Sequence, residues 1–219
     1  MYMIETIKQT FYDNPKYVVV LFFVTTIAYF INPFIGLGLS ILSIVTAHKL
    51  YYTQKYSPSS VGKAYLVYVT SFLLFAKICN LLPFTINTTL RVFLFLNVIC
   101  LATTTIHNPY VYSPINDYVL TALLVVLSFC TPSFLITNQK AVMKNGCLPN
   151  SLYVVFFTII LSYYYIHHHK FGEHILLILG SLVIPMIGHF VNNSWLELRA
   201  LWLCMIGLFE LVDKRFYGY

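Results

Sequence analysis

The chain has 219 residues, of which 59% are hydrophobic and only 9% charged, with a formal net charge of +6. A water-soluble domain carries about 25% charged and 45–50% apolar residues, so this composition argues against one. The thirteen Lys and Arg are scattered and form no basic stripe, which argues against nucleic acid as a partner. The expected architecture is an all-α, polytopic transmembrane helical bundle whose solvent and first partner is the lipid bilayer.

Residues 1–16 read as an interfacial segment. Met3, Ile7 and Phe11 recur at helical spacing and are stopped by Asp13-Asn14-Pro15. The first apolar run has no small-residue cleavage site and is expected to stay in the mature protein. A crossing needs about twenty apolar residues, so residues 17–52 are long enough for two helices, broken at Asn32-Pro33. Further spans are expected over 64–83, 88–106, 118–136, 152–167, 174–191 and 195–212, with a loop over 137–151. The result is a single domain over 17–212 with eight spans and a short tail over 213–219. The apolar runs are solid and do not alternate, which favours helices over a barrel.

Basic residues orient such a bundle. Lys8, Lys16, Lys49, Lys55, Lys63, Lys170, Lys214 and Arg215 fall on the side of the N-terminus, and Arg91, Lys140, Lys144 and Arg199 on the other. Both termini are therefore expected in the cytoplasm. Asn87 and Asn192 are N-x-S/T acceptors on the outer side, so close to the membrane that glycosylation is not expected.

Pro33, Pro83, Pro132 and Pro185 stand toward the outer ends of alternate spans, at separations of 50, 49 and 53 residues. This spacing suggests four helical hairpins of about fifty residues each. Proline leaves a helical carbonyl without its donor, and a set of such breaks on one side would open a vestibule.

Charge inside a span costs about 2.5–3.5 kcal/mol at the bilayer centre, which singles out Lys77, Glu197 and Arg199. Glu197 and Arg199 are two residues apart and face different directions on a helix. Arg199 is expected to meet another helix. Lys77, Glu197, Arg199, Pro132 and Pro185 are the candidate binding residues. His167, His168 and His169, with His174 close behind, are the candidate metal ligands, because imidazoles suit zinc, copper or iron. They lack the spacing of repeated histidine boxes. Cys79, Cys100, Cys130, Cys147 and Cys204 contain no C-x-x-C and indicate neither a disulfide framework nor a zinc site. Nucleophile-elbow, phosphate-loop and potassium-filter motifs are absent, and no cofactor is implied.

Three functions fit. The first is a small transporter or channel for ions or small solutes, with close helix packing at Gly36, Gly38, Ser40, Gly180 and Gly188. The second is a non-catalytic subunit of a membrane assembly or virion membrane, associated with other membrane subunits or with copies of itself. The third is a lipid-modifying enzyme built on the turn over 167–174.

Overall fold

The computed structural model describes residues 15–53, 58–106, 114–137, 140–144, 146–168 and 177–212. The expected interfacial segment, the C-terminal tail, His169 and His174 lie outside these residues, and the His168 side chain is likewise undescribed.

The described residues are mostly helical. In chain order they form α1 (Pro15–Ile31), α2 (Phe34–Thr53), α3 (Pro58–Ile78), α4 (Asn87–Ile106), α5 (Pro114–Phe129), strands β1 (Ser133–Thr137) and β2 (Lys140–Lys144), α6 (Asn150–His168), a π-helical turn (Leu179–Val183) running into α7 (Ile184–Asn192), and α8 (Trp195–Val212).

Local chemistry sets the breaks. After α1, the Asn32 side chain accepts the Phe34 N–H at 3.0 Å and starts α2. Asn80 and Asn193 both take left-handed backbone (φ 59° and 58°), the conformation that closes a helix C-terminus. Leu81 N–H then bonds the Ala76 carbonyl and Ser194 N–H bonds the Gly188 carbonyl, so each helix end satisfies carbonyls that would otherwise be orphaned. α3 thus stops at Ile78, short of the expected end at residue 83.

The fifth helix also ends early, at Phe129, and the residues that follow are not helical. Residues 133–144 form an antiparallel hairpin in the register Phe134↔Met143 and Ile136↔Ala141. Phe134, Ala141 and Met143 are buried, while Leu135, Thr137, Lys140 and Lys144 are exposed, so the alternation of period two decides the fold here. A two-stranded hairpin has two bare edges. The Phe134 N–H donates to Asn87 Oδ1 at 2.6 Å on the β1 side, and the Ala141 N–H donates to Glu197 Oε1 at 2.7 Å on the β2 side. Asn150 Nδ2 donates to the Met143 carbonyl at 2.8 Å. These three side chains from α4, α8 and α6 dock the hairpin and satisfy three of its edge groups.

α8 is the central helix. Every residue from Ser194 to Trp202 is buried, and the helix packs against α1, α2, α3, β2, α7 and the π turn. Gly180 and Gly188 permit the approach: a Cβ at Gly180 would overlap the Trp202 ring, and one at Gly188 would overlap Leu198. The most extensive helix pairs are α4 with α5 and α2 with α3, offset by one helix from the expected hairpin units there, whereas α7 with its π turn packs on α8 as the expected last unit does. α1 is peripheral, with Phe23, Val24 and Ile27 more than half exposed.

Among the described residues one helix, Asn87–Thr105, is long and apolar enough to cross a bilayer by length and composition, with a mean hydropathy of 1.5. Phe34–Lys49, Asp117–Phe129 and Leu179–Asn192 are shorter apolar helices, and α8 is interrupted by Glu197, Arg199 and Glu210.

Candidate functional site

Arg199 is 4% exposed and projects from α8 toward the π turn. Its Nη1 donates to the Ser181 carbonyl at 2.8 Å. Four residues on is Pro185, which has no N–H to offer that carbonyl. Arg199 thus supplies the donor that the proline withholds. The guanidinium also lies over the Phe157 ring, 4.5 Å from its centroid, a cation–π contact, with the Tyr165 hydroxyl in hydrogen-bonding range. Among the described residues no carboxylate pairs with it.

Glu197 is 1% exposed and points elsewhere, to the hairpin. One of its oxygens accepts the Ala141 N–H, and the other has no hydrogen-bond partner among the described residues. The indole of Trp195 stacks on Phe134 (centroids 6.4 Å apart, 5° between planes) and meets Tyr153 and Phe157 edge-on at 6.0 and 5.1 Å. These rings form an aromatic plug between the hairpin and Arg199.

On the other side of Arg199 is a cavity of about 250 Å³. Lys63, Tyr68, Asn97, Tyr164 and Tyr165 line it with Arg199. They come from the start of α3, the second half of α4 and the end of α6, ends that chain order places away from the hairpin. None of the plug residues lines the cavity.

The other expected site residues are placed separately. Lys77 is in the last turn of α3, not deep in a span, and its Nζ donates to the Leu82 carbonyl at 2.8 Å across the helix end. Pro132 is buried before β1, against Gly146, where a Cβ would come within 3.5 Å of its Cα. Pro185 is not at the outer end of its helix but in the first turn of α7, directly after the π turn. Arg199 and the Pro185 break are therefore brought together through the Ser181 carbonyl, whereas Glu197 serves the hairpin and Lys77 its own helix end. His167 is exposed, its ring 4.2 Å from that of Tyr163. Among the described residues no group of three or more His, Cys, Asp or Glu is arranged to hold a metal. Asn87 and Asn192 both turn their amides inward, Asn87 to Phe134 and Asn192 to Ser194.

Sequence reasoning missed Ser181, Asn97 and the Tyr164–Tyr165 pair. Asn97 carried a signal, an amide in the middle of the apolar run of α4. Ser181 did not, because its role belongs to its backbone. Compared with protein families, curated proteins and solved structures, the chain matches none of them.

Proposed function

We propose that this chain is a multi-pass integral membrane protein that acts as a small carrier. The carrying observation is the cavity that ends on Arg199 inside a shell of apolar side chains. The distribution of polarity supports the bilayer. Glu197, Arg199, Ser40, Ser71 and Ser181 are buried, whereas Val24, Ile27, Val126, Ile159 and Val191 are more than half exposed. Lipid tolerates that arrangement, and water opposes so extensive an apolar surface.

Three features support transport over a purely structural role. Ser181 is eleven residues before the end of α7, about 16 Å along it at 1.5 Å per residue, about half of a 30 Å hydrocarbon core. A π turn followed by proline interrupts the helix at that depth, and interrupted helices near the midplane are where carriers bind their solutes. The plug of Trp195 and Phe134 closes one end while the cavity occupies the other, the asymmetry of a carrier resting toward one side rather than of a continuous pore. On the charge bias, the cavity side and both termini are cytoplasmic.

Proteoliposomes of the purified chain are expected to take up at least one solute from a panel of labelled inorganic ions, amino acids and sugars. Vesicles as tight as protein-free ones toward the whole panel overturn the carrier and leave a structural subunit.

A further inference from the structure

The cavity's lining has a definite chemical character. Its two charged residues, Lys63 and Arg199, are both cationic, and no Asp or Glu is among the described lining residues. A guanidinium has five N–H donors; Arg199 gives one to Ser181 and has the Tyr165 hydroxyl in range of another. Its planar fork matches the oxygens of a phosphate, and away from water an unneutralised cation attracts an anion more strongly. The Asn97 amide and the Tyr165 phenol add neutral donors at the same wall. A smaller space of about 40 Å³ adjoins at Asn97, Arg199 and Leu203, also with no acidic residue among its described lining residues.

We propose that this cavity binds a phosphate group, held by Arg199 at its inner end and drawn in by Lys63 at its rim. Two cations suit a phosphate ester, which carries about −1.5 to −2 charges at neutral pH, better than a singly charged carboxylate. This site deepens the carrier proposal and rests on it only for the consequence that the bound group crosses the membrane. The phosphate is either that of a soluble species or that of a lipid headgroup entering from the cytoplasmic leaflet.

The test is binding to the full chain, in two arms. Inorganic phosphate is titrated calorimetrically into protein in neutral detergent. Phosphatidic acid is compared with phosphatidylcholine in nanodiscs by native mass spectrometry. Binding in the first arm assigns a soluble species, and binding in the second alone assigns a lipid. Either is expected to weaken about tenfold in Lys63→Gln, the loss of roughly one charge-assisted contact, and at least as much in Arg199→Lys, which keeps the charge and loses the fork. Lys63 is at the rim and half-buried, so its variant folds even if the Arg199 variant does not. Binding in neither arm, or binding unchanged in folded Lys63→Gln, overturns the site. Binding without flux keeps the site and removes the carrier, and flux without phosphate binding does the reverse.

Discussion

Glu197 and Arg199 are two residues apart on one helix and serve two different parts of the molecule. The angle between them, about 200° at 100° per residue, sends the carboxylate to the hairpin and the guanidinium to the π turn. For Glu197 the consequence is measurable. Glu197→Ala leaves the Ala141 N–H buried and unpaired, at an expected cost of about 1–3 kcal/mol, read as a lower unfolding temperature in detergent. Glu197→Gln retains an acceptor oxygen and is expected to keep most of that stability. Equal losses in the two variants would mean that the hydrogen bond to Ala141 contributes little. Arg199 resolves the problem that Pro185 creates, since one missing backbone donor is replaced by one side-chain donor.

The hairpin and the α7–α8 pair are the elements whose packing is most open to test. Backbone polar groups kept from water need hydrogen-bond partners, and Asn87, Glu197 and Asn150 supply three of them to the hairpin. Asn87→Ala is expected to expose the Phe134 amide, so that its hydrogen exchange quickens while amides inside α4 keep their protection. Unchanged exchange at Phe134 would show that Asn87 does not hold that edge. Between the helices, Gly180→Ala places a methyl against the Trp202 ring, an overpacking that costs about 1–3 kcal/mol. In Gly180→Ala/Trp202→Leu the methyl has room, so the two changes together are expected to cost less than their sum. Additive costs would remove this contact from the account of the α7–α8 interface.

At the scale of the whole molecule, orientation is the property to measure. Cys147 is exposed just beyond β2, while Cys204 is buried and Cys79, Cys100 and Cys130 are half-buried. With Cys147 as the sole cysteine, a membrane-impermeant maleimide applied from the non-cytoplasmic face is expected to label it. Labelling only after the membrane is opened would invert the proposed topology and put the cavity on the other side.

The sequence by itself determined that the chain is mostly helical and where several helices break. Apolar run length and the Asn-Pro and Asn-Asn-Ser interruptions are local properties, and they act within a few residues of where they are written. Two boundaries escaped it. α3 stops at Ile78 because Asn80 adopts left-handed backbone, and residues 133–144 form a hairpin whose edges are held by Asn87 and Glu197, distant in the chain, and by Asn150 just beyond it. Candidate residues were legible as anomalies of polarity, which is why Glu197 and Arg199 stood out. Their partners were not, since a guanidinium chooses among carbonyls by proximity. Only the tertiary structure decided that Arg199 meets Ser181 over the Phe157 ring, that Lys77 reaches across its helix end to Leu82, and that Lys63 and Arg199 share one cavity. Those outcomes follow from packing α1, α2, α3 and α7 against α8, and no window of sequence contains the distances involved.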